Sequence, residues 1–181
     1  MDHSCNGFSG VPVIETARLR LRGHTVEDAE KLTTLWRDED VTRYIGGKPQ
    51  TAEESWGRLL RYAGHWRLLG FGYWVLEEKA TGEFVGEAGL SEYKREIVPP
   101  LDSVAEAGWV LAASKHGMGL ATEAVQAVLG WGREHFGVLP VTCMIHPENR
   151  ASIRVAEKCG FTQREVGMYK GNATLIFERK F

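Results

Sequence analysis

Hydrophobic and polar residues alternate with a period of two in several short stretches of the chain, which is the pattern of half-buried strands. The first stretch runs from Ile14 to Arg22, where Leu19 and Leu21 alternate with arginines. Segment 97–103 contains two consecutive prolines and is predicted to be a loop. The other segments with strand character are 73–78, 84–93, 104–111, 138–145, 161–165 and 173–179.

Other stretches place apolar residues three and four positions apart, which predicts amphipathic helices. Thr25 is followed three residues later by Asp28, and Thr51 by Glu54, which is the spacing of a capping box at a helix start. The longest apolar stripe follows a glycine-rich turn, and a shorter helix is predicted over 151–159. The elements in order are β-α-α-β-β-β-α-β-α-β-β. The sequence therefore predicts an α/β or α+β fold with a mixed, mainly antiparallel sheet.

The pattern continues without a repeat, a low-complexity tract or a linker over residues 13–181, which are predicted to form a single domain. Residues 1–12 are predicted to be a flexible leader. They lack the apolar core of a signal peptide, and no stretch of the chain approaches the roughly 20 apolar residues of a membrane span. Secretion and membrane insertion are therefore disfavoured.

Charge and cysteine content narrow the function classes further. A formal net charge of −2 gives no electrostatic reason to expect nucleic acid or an anionic membrane as a partner. Cys5, Cys143 and Cys159 show no C-x-x-C spacing, so reduced thiols and a cytoplasmic location are predicted. Cys143 and His146 stand three residues apart, but without two more ligands they do not form a metal site, and none is predicted.

A strand, a turn with two glycines and a long helix follow one another over residues 109–136. This order leaves backbone N–H groups unpaired at the helix N-terminus, where the helix dipole also favours negative charge. Gly117 and Gly119 allow the backbone to approach an anion without a Cβ in the way. Residues 116–122, the glycine loop, are therefore predicted to bind phosphate, unless the glycines serve only to make a turn. The loop lacks the Lys-Ser/Thr of a Walker motif and the third glycine of the dinucleotide-binding motif.

The same segment resembles the signature Q/R-x-x-G-x-G/A of the GNAT acyltransferases, with His116, Gly119 and Ala121 at its fixed positions. Residues 117–124 are similar to G-x-G-x-A-T-E-A of the ribosomal-protein N-terminal acetyltransferase-like branch, and residues 149–161 resemble its N-x-x-S…K-x-G-F block. His116 stands where Gln or Arg is usual. This departure leaves the backbone loop intact but supplies no fixed charge, because histidine is mostly neutral near pH 7.

The resemblance implies a GNAT domain in which the strand before the glycine loop parts from the next parallel strand. Here strand 106–111 would separate from strand 141–145, and the pantetheine arm of acetyl-CoA would lie in the gap. For the side chains of Trp109 and Leu111 we expect core packing, and Asn149 can also serve as a helix cap. The implied cofactor-binding residues are Trp109, Val110, Leu111, His116, Gly117, Met118, Gly119, Leu120, Ala121, Thr122, Asn149 and Ser152.

The reaction implied is direct transfer of acetyl from the thioester to a primary amine, which must lose a proton before it attacks. Two carboxylates are candidates for the base, Glu106, which we prefer, and Glu87. Either can instead be a solvated or ion-paired strand residue. Backbone N–H groups near Val110 are expected to stabilise the thioester oxygen. Ser152 stands where this branch is thought to protonate the leaving thiol, and otherwise it is a polar residue in the first turn of a helix.

The resemblance leaves the acceptor amine open between a protein N-terminus, an amino acid and another small amine. A non-catalytic acetyl-CoA-binding sensor or scaffold is the alternative function, although the presence of Glu106 and Ser152 favours catalysis. A homodimer is compatible with the aromatic-rich helices and edge strands. One or two aromatic residues of the N-terminal half are expected to face the acceptor, from among Trp36, Tyr44, Trp56, Trp66, Tyr73 and Trp74.

Overall fold

The computed structural model describes residues 10–101, 103, 105–137 and 140–180. Its strands are β1 (Ile14–Glu15), β2 (Leu19–Arg22), β3 (Tyr73–Glu78), β4 (Phe84–Ser91), β5 (Ile97–Val98), β6 (Ala105–Leu111), β7 (Val141–Ile145), β8 (Thr162–Tyr169) and β9 (Asn172–Arg179). Its α-helices are α1 (Ala29–Arg37), α2 (Glu39–Thr42), α3 (Ala52–Leu69), α4 (Leu120–Phe136) and α5 (Arg150–Lys158).

Within the described residues, nine strands form one sheet in the order β1-β2-β3-β4-β6-β7-β9-β8-β5. Neighbouring strands are antiparallel except β6 and β7, which run parallel. The predicted mixed, mainly antiparallel sheet is therefore confirmed.

The sheet lies between two layers of helices. Val110 and Leu111 are neighbours on β6, so their side chains point to opposite faces of the sheet. Val110 packs with Trp36 of α1 and Leu59 of α3. Leu111 belongs to the larger core, which includes Leu120 and the apolar face of α4. Consequently α1 and α3 cover one face of the sheet, and α4 covers the other.

Both predicted capping boxes are present at helix starts. The pair Thr25 and Asp28 opens a single turn of 3₁₀ helix that leads into α1. At the start of α3 the Glu54 N–H donates to Thr51 Oγ1 over 3.1 Å, and the Thr51 N–H donates to Glu54 Oε2 over 2.7 Å. Gly70 ends α3 in the left-handed conformation at φ 75°.

The structure differs from the sequence prediction in two predicted elements and contains one helix that was not predicted. The single strand expected over Ile14–Arg22 is an antiparallel pair, β1 and β2, because Thr16 bonds the backbone of Leu19 and closes a turn. The loop expected over 97–103 begins with the short edge strand β5, and Pro99 follows its last residue. Helix α2 was not predicted, since four residues are too few to show a helical period.

The described part of the predicted leader is packed against the domain. Val11 contacts the core, and Trp74 Nε1 donates to the carbonyl oxygen of Pro12 over 2.7 Å. Residues 1–9, including Cys5, lie outside the described residues, as do positions 104, 138 and 139 of two predicted strands. Among the described helices, none combines the length and apolar character needed to span a membrane.

Candidate functional site

Within the described part of the chain, the parallel strands β6 and β7 are joined over a short distance. They pair at Ala105 with Val141 and at Glu106 with Thr142, and beyond these positions the strands part. The Ala112 N–H donates to Val85 O on β4 over 3.0 Å. Because backbone groups alternate sides along a strand, those of Val110 face β4 and those of Trp109 and Leu111 face the gap. The predicted separation of the strands is confirmed, and it exposes a backbone edge to which an extended ligand could add.

The glycine loop leads directly into α4. Gly117 and Gly119 both have φ 77°, a left-handed conformation that other residues adopt only at a cost. Gly119 is the N-cap residue, and no side chain caps the first turn. The N–H groups of that turn therefore have no capping acceptor within the described chain, and the 17-residue helix directs the positive end of its dipole towards the same place.

Neighbouring side chains fix the position of the glycine loop. Glu123 in the first turn of α4 accepts from Thr16 Oγ1 over 2.6 Å, and its two oxygens accept from the backbone and side chain of Arg18. Arg18 Nη1 also donates to the Met118 carbonyl over 2.9 Å. His116 is turned back onto the strand, where its Nε2 lies 2.9 Å from the Leu111 carbonyl oxygen. The loop is thus held by contacts from β6 and the β1–β2 turn.

A cleft of about 910 Å³ opens on the side of the sheet covered by α1 and α3 and continues to the gap between β6 and β7. Glu106, Trp109, Val110, Asn149 and Ser152 all line it, so the sheet brings these predicted site residues together. Glu87 lies behind the cleft wall and is fully buried. The glycine loop borders a different region, because none of its residues contributes to this lining.

Glu106 is ion-paired in the cleft wall. Its two carboxylate oxygens accept from Arg95 Nε over 2.5 Å and from Nη2 over 2.7 Å, and Arg95 Nη1 donates to the Tyr169 hydroxyl over 2.9 Å. Burial disfavours the charged form of Arg95, but its hydrogen bonds to Glu106 outweigh this effect and raise the pKa of Arg95 above its ordinary value. Each carboxylate oxygen keeps a further lone pair, so Glu106 can still accept from a ligand or a water molecule.

Glu87 is the centre of a buried polar cluster. Its Oε1 accepts from the Tyr62 hydroxyl and, over 3.1 Å, from Trp36 Nε1. Its Oε2 has no hydrogen-bond partner among the described residues, and the buried His24 Nε2 lies 3.5 Å from it. Trp36 and Tyr62 line the cleft and separate Glu87 from it. A proton could pass between Glu87 and the cleft only through the Tyr62 hydroxyl or after these side chains move.

Tyr73 occupies the floor between the two carboxylates. Its ring stacks on that of Tyr62 with centroids 4.7 Å apart, and its hydroxyl lies where a side chain at Gly108 would begin. Position 108 therefore requires glycine, because the Tyr73 hydroxyl lies too close to leave room for a Cβ. Burial raises the pKa of both tyrosine hydroxyls well above the ordinary value, so they stay protonated and can donate.

Ser152 and Asn149 stand together at the start of α5. The side-chain oxygen of Asn149 accepts from the Ser152 N–H over 3.1 Å, which confirms the predicted helix cap. Both residues line the cleft, at the end where β7 leads into α5. The Ser152 hydroxyl thus comes from the β7 side of the gap, and Glu106 comes from the β6 side.

The predicted aromatic residues divide into three groups. Trp36, Tyr44 and Tyr73 line the cleft, Trp66 and Trp74 pack in the core, and Trp56 is exposed. Sequence reasoning missed several cleft residues that are distant in the chain. The sequence signal for these residues was weak, because isolated arginines and tyrosines are common throughout a chain. The missed residues are Arg58, Tyr62, Tyr93, Arg95 and Tyr169.

Cys143 also lines the cleft but is buried, and burial raises the pKa of its thiol well above the ordinary value. His146 packs its ring 5.4 Å from that of Tyr44. Across the residues that the structure covers, no three His, Cys, Asp or Glu side chains group as metal ligands would.

Comparisons with known proteins agree with this architecture. The family model of the acetyltransferase (GNAT) domain matches residues 18–162. YkkB of Bacillus subtilis is 33% identical over 172 residues, which are 91% of this chain and 94% of that protein. YoaA of Bacillus subtilis, which is named as an N-acetyltransferase, is 26% identical over 156 residues, or 86% of this chain and 85% of that protein.

Solved structures also show similarity to GNAT acetyltransferases. One from Bordetella pertussis, assigned to the GNAT-family acetyltransferases, is 31% identical and has a TM-score of 0.82, with 93% of this chain and 99% of that chain covered. RimL, a ribosomal alpha-N-protein acetyltransferase solved with coenzyme A, has a TM-score of 0.76 over 94% of this chain and 98% of its own. At 16% identity, RimL shows the shared fold alone.

Proposed function

The chain belongs to the GNAT acetyltransferase family, and from that membership we propose that it transfers the acetyl group of acetyl-CoA directly to a primary amine. The observation that carries the proposal is the open backbone edge of β6, which leads from the glycine loop into the cleft. Residues 117–124 and 149–161 further support a place near the ribosomal-protein N-terminal acetyltransferase-like branch.

The described residues fit acetyl-CoA at two places. The uncapped first turn of α4 and the two left-handed glycines suit a pyrophosphate, because they present N–H groups without a Cβ in front of them. The backbone groups of Trp109 and the N–H of Leu111 face the gap and can pair with the amides of the pantetheine arm, whereas the Leu111 carbonyl oxygen contacts His116. Acetyl-CoA supplies the thioester, whose acyl carbon accepts the amine nitrogen while the carbon–sulfur bond breaks.

Two protons move in this reaction, and the cleft offers residues for both. The amine loses one proton, for which we propose Glu106 as the acceptor, acting directly or through a water molecule. Glu87 is the second candidate, with Tyr62 as the connection to the cleft. After the attack the nitrogen loses a second proton and the leaving thiolate gains one, and we propose that the Ser152 hydroxyl donates its proton to the thiolate and takes up the proton of the nitrogen in exchange. Backbone N–H groups of the open β6 edge would stabilise the thioester oxygen as negative charge develops.

The proposed function is tested by following thiol release from acetyl-CoA with time in the presence of a panel of primary amines. Release that depends on both the amine and the enzyme supports it. Tight coenzyme A binding without release on any amine would instead indicate a sensor or scaffold. We also propose a cytoplasmic location, since the described cysteines Cys143 and Cys159 are free thiols.

Ser152→Ala is expected to lower kcat about tenfold and to leave the affinity for acetyl-CoA within a few-fold of wild type. The hydroxyl would act mainly in the transition state, and such an interaction changes kcat rather than binding. Steady-state kinetics with one amine, together with calorimetry for coenzyme A, measure both quantities. Because Asn149 bonds the Ser152 backbone N–H, the helix cap survives the substitution. A normal kcat would exclude Ser152 from the mechanism.

A further inference from the structure

The cleft carries more positive than negative charge. Glu106 is the one carboxylate among its described lining residues, and Arg95 neutralises it. The other four lining cations have no carboxylate ion pair within the described chain, and they are Arg43, Arg58, Arg61 and Lys170. A lining with this excess of positive charge attracts an anionic group of a ligand and repels a cationic one.

Arg58 is held firmly in this arrangement. Its guanidinium lies 3.5 Å from the centre of the Trp36 ring, its Nε donates to Gln50 Oε1 over 3.3 Å, and its Nη1 lies 3.4 Å from the Tyr62 hydroxyl. The buried carboxylate of Glu87 accepts from the same Tyr62 hydroxyl and forms no ion pair with Arg58. Arg58 is therefore oriented in advance, with a donor-bearing face free for a ligand.

The remaining cations reach the cleft from separate segments. Arg61 is exposed on α3 and lies 5.4 Å from the Tyr93 ring. Lys170 stands in the turn between β8 and β9, and Arg43 follows α2. Three separate segments thus contribute cationic residues to the lining of one cleft. Cationic residues spread evenly over the surface of a nearly neutral protein would not be expected to group in one cleft in this way.

These cations are well placed for the acceptor rather than for the cofactor phosphates. None of the glycine-loop residues lines this cleft, whereas Glu106, the proposed base, does. An amine bound near Glu106 would have its other end in the same cleft, whose lining contains the four unpaired cations. Tyr44 and His146 both line the cleft and contact each other, with ring centroids 5.4 Å apart, so these two side chains restrict its width and favour a small acceptor.

We propose that the acceptor is a small primary amine that also carries a carboxylate or phosphate group. This inference rests on the proposed acetyl transfer and specifies its substrate class. Glu106 receives the amine end, and the four unpaired cations receive the anionic end, by charge-assisted hydrogen bonds. A polyamine fits poorly, because its second ammonium group would face those cations.

The test compares acceptors that differ only in the anion. Initial rates are measured for ω-amino acids of increasing length against their amides, and for an aminoalkyl phosphate against the matching amino alcohol. Spermidine and an acidic peptide complete the panel. We expect kcat/KM at least tenfold higher for the carboxylate or the phosphate member of a pair, and little activity on spermidine.

The outcomes separate this inference from the proposed function. If no amine is acetylated although coenzyme A binds, the acetyl transfer itself fails. If amides, amino alcohols or spermidine are acetylated as well as the anionic amines, the transfer stands and the substrate class is wrong. Activity confined to the peptide would show that the acceptor is a protein N-terminus instead.

Variants on one helix locate the effect. Arg61→Gln is expected to raise KM for an anionic acceptor about tenfold and to leave KM for its amide and for acetyl-CoA unchanged, because it removes one charge-assisted contact. Arg67→Gln is the matched control, since Arg67 is exposed on the same helix but outside the cleft lining. Arg58→Gln should have a larger effect, with its folding checked by thermal melting.

If KM for acetyl-CoA rises in Arg61→Gln while KM for the acceptor does not, the cations serve the cofactor and the inference is overturned. Unchanged discrimination between the anionic amine and its amide in both variants would overturn it as well. If Arg58→Gln fails to fold, the KM values of Arg61→Gln for the anionic acceptor and its amide are sufficient for the test, since Arg61 is exposed.

Discussion

Glu106→Gln is expected to lower the rate of acetyl transfer at neutral pH by about 100-fold, within the range for loss of a general base. Glutamine keeps the volume of Glu106 and one hydrogen-bond acceptor for Arg95, but it cannot take the proton of the incoming ammonium. The measurement is kcat/KM for one amine across the pH range. The loss should shrink at high pH, where the free amine is already deprotonated.

The pH dependence distinguishes a chemical role from a structural one. Glu106 is also the ion-pair partner of Arg95, so its replacement could disturb the cleft wall without any role in proton transfer. A purely structural effect would reduce the rate by the same factor at every pH. A constant factor would therefore contradict the assignment of Glu106 as the base.

Glu87→Gln is the comparison variant, because Glu87 is the second carboxylate of this site. Its link to the cleft passes through the Tyr62 hydroxyl, so Tyr62→Phe should reproduce the pH profile of Glu87→Gln if Glu87 accepts the proton. If the rise in kcat/KM from acidic to neutral pH is lost in these two variants but not in Glu106→Gln, the base is Glu87. If no variant changes that rise, the amine enters neutral and no carboxylate is needed.

Gly119→Val is expected to weaken coenzyme A binding between about 10-fold and 100-fold, the equivalent of one lost hydrogen bond to a charged group. A Cβ at Gly119 would meet only Arg18 Nη2, at 3.5 Å, so the protein itself leaves room for the side chain. The added methyl groups would instead occupy the space in front of the α4 N-terminus, where we place the pyrophosphate. Calorimetry with coenzyme A measures the effect.

Gly82→Val provides a matched control for backbone strain. Gly82 lies in the β3–β4 turn with φ 73°, close to the 77° of Gly119, and a Cβ there would meet nothing within 4 Å. Both substitutions should lower the melting temperature to a similar extent, since a left-handed conformation costs a β-branched residue about 1–2 kcal/mol. Only Gly119→Val should affect binding. Equal affinities in the two variants would place the pyrophosphate site elsewhere.

Local sequence signals predicted much of the architecture, because they depend on residues close together in the chain. The Thr51–Glu54 capping box, the helix after the glycine loop and the Asn149 cap all involve contacts within a few positions. The separation of β6 from β7 is a long-range feature. It followed from the resemblance carried by the glycine loop rather than from periodicity.

The interior of the site could not be predicted in the same way. The ion pair of Arg95 with Glu106 depends on a loop whose path the sequence does not specify, and the bond of Tyr62 to Glu87 depends on how α3 sits on the sheet. The turn at Thr16 was missed for a different reason. A single threonine side chain there overrides an uninterrupted alternating pattern.

The short pairing of β6 with β7 has a consequence for how the protein unfolds. The sheet consists of two blocks, β1–β4 with β6 and β5 with β7–β9, and among the described residues the two blocks are joined at two residue pairs. An arm that pairs with Trp109 and Leu111 would lengthen that seam, and it would bind only while both blocks are in place. In hydrogen exchange we therefore expect bound acetyl-CoA to merge the two blocks into one cooperative unit, so that the amides of β9 open only when those of β3 do.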